Sequence, residues 1–267
     1  MRFSIIIPNY NSEKWIVRLL DSIRNQTYGD YEVIIVDDCS TDKSFDIIRE
    51  YIFDNNLYHK FFPCVSREKK YNGGARNMGV NIARGEYILF ADCDDWFYSD
   101  KALEEINQVI EQHDYPDLVR LPYRLYTNKI GRTNPLNEKN LEELSHTIYV
   151  APWTKCIKRQ LFVPFPENTL LEDVVQHIAQ LDKIETMEHC PVPVMVWNRA
   201  NEDAISSSTK TYTRESKRYT SIYRNLADLL DLRVQKPYCE EERQRRIAFY
   251  LDIVHNAKED TIINVKE

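Results

Sequence analysis

Short apolar runs alternate with helical patterns through the first hundred residues. Four runs predict buried strands: FSIII (3–7), YEVIIV (31–36), FFPCV (61–65) and YILFA (87–91). Apolar residues between these runs recur with the helical period and predict two helices, each with one apolar face. The first face consists of Trp15, Ile16, Leu19, Leu20 and Ile23, and the second of Phe45, Ile48 and Ile52. Buried strands that alternate with helices predict a parallel sheet covered on both faces.

The helix boundaries and the edge of this sheet are also predicted. Ser12 is expected to cap the first helix, and Ser40 or Thr41 the second. A third helix is expected over 74–84, ending at Gly85. Pro63 indicates an edge position for its strand. Because ligands of such sheets bind beyond the carboxyl ends of the strands, the residues that follow Ile7, Val36 and Ala91 should meet in one crevice.

Beyond residue 100 the pattern is less regular. A helix over 100–112 is predicted first, capped by Ser99 or Asp100. A strand (117–126), a polar loop (127–147) and a helix near 158–162 follow. The last predicted elements are a helix (172–184), a strand (192–198) and two terminal helices near 212–234 and 239–256. A domain boundary is expected near residues 205–211. The predicted organisation is a catalytic domain of residues 1–208, with halves 1–100 and 101–208, and a C-terminal helical extension of residues 209–267.

Charge and cysteine content narrow the function classes. The formal net charge of −7 argues against a general nucleic-acid binder. Residues 210–246 carry ten Lys or Arg and six Asp or Glu, a local net of +4, which fits a solvated helix face, a peripheral contact with an anionic membrane or a homodimer interface. Six cysteines without CxxC spacing predict free thiols in a reducing compartment. No signal-peptide layout and no apolar run near ~18 residues is present, so we expect a cytoplasmic protein.

Acidic residues follow two of the predicted strands. Asp92-Cys93-Asp94-Asp95 comes directly after YILFA, where mutual repulsion favours a bound cation such as Mg²⁺ or Mn²⁺. Asp37-Asp38 follows YEVIIV, where one carboxylate could accept hydrogen bonds from a base or a ribose. Helix capping by an acidic turn is the alternative interpretation at both places.

Four of the six glycines lie between residues 73 and 85: Gly73, Gly74, Gly79 and Gly85. This clustering indicates unusual backbone dihedrals or close approach of the backbone. Gly73-Gly74-Ala75-Arg76-Asn77 is expected to open a helix, whose N-terminus favours anions. No GK[ST] follows, so the segment is not a phosphate-binding P-loop.

Four segments in order, SIIIPNYN, VIIVDDCSTD, NGGARNMGVNIARGEYILFADCDD and LLEDV, resemble the family 2 glycosyltransferases of GT-A fold. The resemblance is strong over residues 3–100 and looser over 150–208. It implies an α/β fold with a Rossmann-like, mostly parallel sheet. It also implies transfer of a sugar, from a nucleotide diphosphate donor that in this family is usually a UDP-sugar, to a hydroxyl of a glycan or lipid-linked glycan.

The resemblance assigns roles in donor binding. Pro8 and Tyr10 would line the nucleobase pocket, and Asp38 would contact the nucleoside. Arg76 would lie near the base or diphosphate, and Asp92 near the ribose. The metal ligand, for Mn²⁺ or Mg²⁺ bridging the diphosphate, would be Asp94. Cys93 stands where the family usually has Ala or Ser, and Cys39 where Gly is common.

The resemblance also assigns the acceptor side. Glu172-Asp173 matches the family's acidic pair at the start of a helix, with Asp173 as the general base of an inverting displacement. Trp153 and Lys155 match a W-x-K segment at the acceptor site, and Trp153 is expected to stack on a sugar ring. Arg199 and Ser206 fall where late diphosphate contacts occur.

Two other function classes remain open. A nucleotidyltransferase can share this architecture, but it typically carries a glycine-rich N-terminal loop, and SIIIPNYNSEKW contains no glycine. A catalytically silent carbohydrate-binding partner in a polysaccharide-synthesis complex would be free to lose its carboxylates. Donor hydrolysis with and without Mn²⁺ separates that partner from an enzyme.

Overall fold

A seven-stranded sheet forms the centre of the computed structural model, which describes residues 1–134, 138–147, 150–201 and 217–256. The strands are β1 (Phe3–Asn9), β2 (Tyr31–Asp37), β3 (Phe61–Val65), β4 (Tyr87–Phe90), β5 (Trp96–Phe97), β6 (Leu118–Arg120), β7 (Tyr123–Tyr126), β8 (Ile130–Asn134), β9 (Lys155–Lys158), β10 (Met187–His189) and β11 (Met195–Asn198). The helices are α1 (Ile16–Arg24), α2 (Ser44–Asp54), α3 (Tyr71–Ile82), α4 (Ala102–Gln112), α5 (Leu141–Ser145), α6 (Glu172–Leu181), α7 (Lys217–Asp231) and α8 (Pro237–Asn256).

The strand order confirms the expected mostly parallel sheet. The order is β10-β6-β9-β4-β1-β2-β3, and only β9 runs antiparallel to its neighbours. β3 lies at the edge, as Pro63 predicted. A second sheet has the order β5-β11-β7-β8. All four of its strands follow β4 in the sequence. The arrangement is the doubly covered α/β fold that the alternating pattern indicates.

Both faces of the central sheet are covered. Every residue of β1 and β2 is buried. Ile5 and Ile7 pack with α1, α2 and α4 on one face, whereas Ile6 packs with α3 on the other. A Cβ at Gly79 would come within 2.5 Å of Ile6 Cγ2, so the absence of a side chain lets α3 approach β1 closely.

The predicted glycine effects are therefore confirmed only in part. None of the six glycines, all of which lie in the described ranges, has a positive φ. α3 begins at Tyr71 and ends at Ile82, so it starts earlier and ends sooner than the sequence predicted, and Gly85 does not end it with a left-handed turn.

The predicted serine and threonine caps are wrong. The Ser12 hydroxyl donates to Asn9 Oδ1, and α1 begins only at Ile16. At α2, the carboxylate of Asp42 accepts from the Ser44 N–H (3.0 Å), so neither Ser40 nor Thr41 caps the helix. α4 likewise begins at Ala102 without a side-chain cap.

The second half differs most from its prediction. Pro122 divides the expected strand 117–126 into β6 and β7, which belong to different sheets. The expected polar loop 127–147 contains β8 and α5. Near 158–162 only one 3₁₀ turn forms, at Arg159–Leu161.

The two terminal helices share a core with α6. Ile178 and Leu181 of α6 pack in one cluster with Ile222 and Leu229 of α7 and Ile253 of α8. The predicted boundary near 205–211 and Ser206 lie outside the described residues. All six cysteines are free thiols, as the sequence predicted. None of the helices within the described ranges is long and apolar enough to cross a bilayer.

Candidate functional site

The carboxyl ends of β1, β2 and β4 meet, as the sequence predicted. Asn9 Nδ2 donates to Asp37 Oδ1 (2.6 Å), which joins the end of β1 to the end of β2. The Cys93 thiol donates to the carbonyl of Pro8 (3.1 Å), which joins β4 to β1. Pro8 is buried, and burial raises the pKa of the Cys93 thiol, so this cysteine stays protonated and serves as a packed hydrogen-bond donor.

Asp38 is held at the start of α3. Its two carboxylate oxygens accept from the backbone N–H groups of Lys70 (2.7 Å) and Tyr71 (2.8 Å). The Lys69 ammonium lies 3.7 Å from the same carboxylate and 2.6 Å from the centroid of the Tyr10 ring. Tyr10 is 44 % exposed, so it presents an aromatic surface beside Asp38 at the carboxyl edge of the sheet.

Cys39 adopts a left-handed backbone conformation with φ of 61°. Such a conformation is strained for a residue that has a Cβ and is unstrained for glycine. The turn that carries Asp38 therefore explains why glycine is common at this position in the family that the sequence resembles.

Arg76 connects the segment after β4 to the start of α6. Its guanidinium donates to Asp92 (2.8 Å) and to Glu172 (2.7 Å) and is only 3 % exposed. α3 approaches Glu172 closely because residue 73 is glycine: a Cβ there would lie 2.9 Å from Glu172 Cγ. The structure thus brings together three of the predicted site residues in one charged network.

Glu172 and Asp173 occupy the first turn of α6 in a low-dielectric environment. Burial raises the pKa of both carboxyls, against the lowering effect of Arg76. Lys155 also favours the charged form of Asp173. Glu172 is buried and ion-paired, whereas Asp173 is only half-buried, so Asp173 is the more accessible proton acceptor of the two.

The two carboxylates Asp94 and Asp95, which follow β4, have different hydrogen-bond partners. Asp95 is buried and accepts from the backbone N–H of Asn198 (2.8 Å), so it ties this turn to β11. Asp94 Oδ2 accepts from Asn201 Nδ2 (2.7 Å), and burial together with the charge of Asp92 raises its pKa. A cation beside Asp94 would relieve that unfavourable charge.

Asp94 fits the way in which Mg²⁺ and Mn²⁺ are held beside phosphate. Among the residues that the structure describes, no group of three or more His, Cys, Asp or Glu could hold a metal ion. Such a cation commonly takes one or two carboxylates from the protein and completes its ligand set with substrate phosphates and water. Asp94, with Asp92 nearby, supplies that number of carboxylates.

The predicted acceptor residues are buried. Trp153 is 4 % exposed and packs edge-on against Tyr123, with ring centroids 4.9 Å apart. The expectation that Trp153 stacks on a sugar is therefore wrong for this structure, because its ring is enclosed by other aromatic rings. Lys155 is 1 % exposed and donates to the Val150 carbonyl (2.8 Å). Burial lowers the pKa of Lys155 well below its ordinary value.

Arg199 lies at the surface. It is exposed, and its guanidinium is 4.7 Å from the centroid of the Trp197 ring. Its backbone N–H donates to the Tyr126 carbonyl (2.8 Å). Its predicted diphosphate contact stays a prediction.

Two polar residues beside the carboxylates escaped the sequence analysis. Asn201 holds Asp94, and Arg18 of α1 donates to the Asp94 carbonyl (3.3 Å) while its guanidinium lies 3.6 Å from the centroid of the Trp96 ring. Arg18 lies outside the buried apolar face of α1, so the helical pattern gives no sign of its contact with Asp94. Asn201 lies only two residues from Arg199, but nothing in its local sequence indicates a partner at Asp94.

The chain matches a known protein family. The family model described as "Glycosyl transferase family 2" matches residues 4–162. The poly(ribitol-phosphate) beta-N-acetylglucosaminyltransferase TarS of Staphylococcus aureus strain Mu50 is 32 % identical over 160 residues. That alignment covers 55 % of this chain and 27 % of the relative, so the chain spans about a quarter of the relative's length.

Solved structures agree in fold. S. aureus TarS 1–349 in complex with UDP-GlcNAc superposes with a TM-score of 0.72 at 24 % identity, covering 97 % of this chain and 74 % of that one. A mannosyltransferase of Pyrobaculum calidifontis in complex with GDP-Man and Mn²⁺ gives a TM-score of 0.63 at 16 % identity, covering 98 % and 76 %. With the family model matching more than half of its length, this chain belongs to glycosyl transferase family 2.

Proposed function

We propose that the chain transfers a sugar from a UDP-sugar to a hydroxyl group of a polysaccharide-type acceptor, with inversion at the anomeric carbon. The observation that carries this proposal is the network of Arg76, Asp92 and Glu172, which joins the carboxyl edge of the sheet to the start of α6. TarS, which was crystallised with UDP-GlcNAc, supports a UDP-sugar donor.

Donor binding is assigned to the carboxyl edge of β1, β2 and β4. The partly exposed ring of Tyr10 and the carboxylate of Asp38 both lie next to the Lys69 ammonium there, and an aromatic ring near a hydrogen-bond acceptor suits a nucleobase and its ribose. Asp92 lies at the end of β4, 30 % exposed, and is oriented by Arg76. Asp38, Tyr10 and Asp92 would therefore hold the nucleoside.

Asp94 would hold Mn²⁺ or Mg²⁺ together with the donor diphosphate. When bound, such a cation stabilises the negative charge that develops on the departing diphosphate. The P. calidifontis enzyme, which was solved with GDP-Man and Mn²⁺, supports a divalent cation in this fold. Asn201 orients the Asp94 carboxylate through one oxygen.

Asp173 would take the proton from the attacking hydroxyl. A general base works best when its pKa lies near the operating pH, and burial raises the pKa of Asp173 in that direction. Glu172 is engaged by Arg76 and would orient the pair rather than accept the proton. No protein nucleophile is invoked, so an α-linked donor should give a β-linked product in one displacement.

Release of UDP from UDP-GlcNAc and UDP-glucose tests the proposal. The full chain should release UDP in the presence of Mn²⁺ or Mg²⁺ and lose that activity in EDTA. Asp94→Asn should abolish the metal-dependent part, whereas Asp54→Asn, at the exposed end of α2, should behave like the parent. A protein that releases no nucleotide with either donor under any divalent metal would favour the silent carbohydrate-binding partner instead.

A further inference from the structure

The segment 165–171, which leads directly into Glu172 and Asp173, lies between two helices that are distant in sequence. On one side α3 holds it: Asn77 Nδ2 donates to the Phe165 carbonyl (2.9 Å), and the Phe165 N–H donates to Asn77 Oδ1 (2.9 Å). Gly73 leaves space for the same segment, since a Cβ there would lie 2.5 Å from the Pro166 carbonyl oxygen.

On the other side α7 holds the end of the segment. The side chain of Asn225 is completely buried, and its Nδ2 donates to the carbonyls of Leu170 (2.9 Å) and Leu171 (3.3 Å). Its Oδ1 accepts from the Thr169 hydroxyl (3.3 Å). One turn earlier, the Ser221 hydroxyl oxygen accepts from the Leu170 N–H (3.0 Å).

These bonds hold a backbone conformation that the local sequence does not favour. Leu171 has φ of 63° in the left-handed region, which a residue with a Cβ adopts only when its surroundings impose it. Leu171 is the residue before α6 and provides no side-chain cap. Its conformation therefore sets the direction in which the first turn of α6, with Glu172 and Asp173, enters the site.

We propose that Asn225, assisted by Ser221, is a positioning residue for sugar transfer: it holds Leu171 in its left-handed conformation and so orients the carboxylate of Asp173. This inference rests on the proposed function, because it takes Asp173 as the general base. It makes α7 part of the catalytic arrangement, although the sequence suggested only a terminal extension.

The competing explanation is that Asn225 merely helps α7 to pack. That role belongs to the apolar residues of the same helix, such as Ile222 and Leu229, which are fully buried in the core shared with α6. Leu229→Ala therefore provides a matched control: it weakens the attachment of α7 without removing a side chain that hydrogen-bonds to the segment 168–171.

Asn225→Asp in the full chain tests the inference. The substitution keeps the size of the side chain and replaces the amide donor by an acceptor, which faces the two carbonyls that Asn225 now binds. With whichever of UDP-GlcNAc or UDP-glucose the parent protein turns over, we expect kcat to fall by about tenfold or more and the KM of the donor to stay within about twofold. Leu229→Ala should lower Tm and leave kcat within about twofold at a temperature where it is folded.

Amide hydrogen exchange gives a readout that needs no activity. Peptides covering 168–173 should exchange faster in Asn225→Asp than in Leu229→Ala when both are compared at equal distance below their Tm. If Asn225→Asp folds poorly, Ser221→Ala, which removes the acceptor of the Leu170 N–H, should show the same pattern to a smaller extent.

The outcomes separate this inference from the proposed function. Unchanged kcat in Asn225→Asp and Ser221→Ala, or losses that Leu229→Ala matches, would overturn the positioning role while leaving Asp173 as the base. A parent protein that is active and insensitive to Asp173→Asn would instead refute the base assignment on which the inference rests.

Discussion

The predicted donor half (residues 1–100) and the predicted acceptor half (residues 101–208) hold the carboxylates that the structure describes by different means. In the donor half, Asp38 accepts from two backbone N–H groups, and Asp37 accepts from the Asn9 amide and the Ser40 N–H. In the acceptor half, Glu172 is held by the guanidinium of Arg76, 96 residues away in the chain. Asp37 and Asp38 are thus held by neutral donors, with only the partly exposed Lys69 near Asp38, whereas the buried guanidinium of Arg76 holds Glu172 together with Asp92.

The difference has an electrostatic consequence. A carboxylate that accepts several backbone hydrogen bonds is stabilised in its charged form without an added charge in the interior. A carboxylate in a buried ionic network depends on the whole network, because loss of one partner leaves a charge without compensation. The donor half is therefore suited to fixed binding, and the acceptor half to a group whose protonation changes during the reaction.

Asp173→Asn gives the largest expected effect and tests the comparison directly. Loss of the general base should lower kcat by about 10²–10⁴-fold, while donor affinity stays near that of the parent. Steady-state release of UDP, together with thermal-shift titration of UDP, measures both quantities.

Asp38→Asn supplies the matched change in the donor half. It removes one charged acceptor of the α3 backbone N–H groups, so it should raise the KM of the donor more than it lowers kcat. If both substitutions reduced kcat equally and left KM alone, the two halves would not differ in the way proposed.

Arg76→Met should give the second-largest effect, in this case on stability. It leaves Glu172, only 8 % exposed, and Asp92 without their shared cation, so the free energy of unfolding should fall by about 3 kcal/mol. Urea denaturation measures this loss, and the double variant Arg76→Met/Glu172→Gln should recover part of it.

A donor-half ion pair provides the contrast. Lys69 lies 3.7 Å from Asp38 and is 35 % exposed, so Lys69→Met should lower the free energy of unfolding by less than about 1 kcal/mol. Equal losses for Lys69→Met and Arg76→Met would mean that burial of the network of Arg76, Asp92 and Glu172 carries no special energetic weight.

The difference between the two halves also explains which features could be predicted from the sequence. The strands β1, β2 and β4 were predictable because buried parallel strands read as continuous apolar runs. The meeting of Asn9, Asp37 and Cys93 then followed from topology alone. Asp38 was predicted as a site residue, but its partners at the start of α3 were not.

The acceptor half was harder to predict from the sequence because its contacts join residues that are distant in the chain. Pro122 sends one apolar run into two sheets, and β8 and α5 are too short and polar to give a clear period. Trp153 was assigned to the acceptor by resemblance, yet it packs against Tyr123 and Trp197 in the core. Asn225 lies on a helix whose periodicity predicts packing and gives no sign of the carbonyls that it binds.

The pH dependence of kcat should show a medium effect. Burial raises the pKa of Glu172 from its ordinary value of 4.5 to about 7 and raises that of Asp173 as well. Since the base must be deprotonated to accept the acceptor proton, kcat should rise as pH increases from about pH 4 to about pH 8, with its midpoint above the ordinary pKa of an aspartate. A profile that is flat over this interval, measured with saturating donor and metal, would show that the carboxyl pair does not control the rate.

Stability should change in the opposite direction over part of this range. A carboxyl whose pKa is raised on folding stabilises the native state below the pKa of the unfolded chain, and this contribution is lost as pH rises through the folded pKa. The contribution of Glu172 to the free energy of unfolding should therefore decrease from about pH 4.5 to about pH 7. Urea denaturation of the parent and of Glu172→Gln at both ends of the interval isolates it.

Cys39→Gly should give the smallest effect and brings the comparison back to the donor half. Cys39 has φ of 61°, so glycine would relieve a strain of about 1–2 kcal/mol, and the greater freedom of glycine in the unfolded chain would offset part of the gain. We expect Tm to rise by about 2 °C with unchanged KM for the donor, because the hydrogen bonds of Asp38 come from Lys70 and Tyr71.

Asn56→Gly is the control for Cys39→Gly. Asn56 has a similar φ of 53°, but asparagine tolerates this conformation, so the gain in Tm should be smaller. If Cys39→Gly instead weakened donor binding, the strained turn itself would help to orient Asp38, and the donor half would depend on more than its backbone hydrogen bonds.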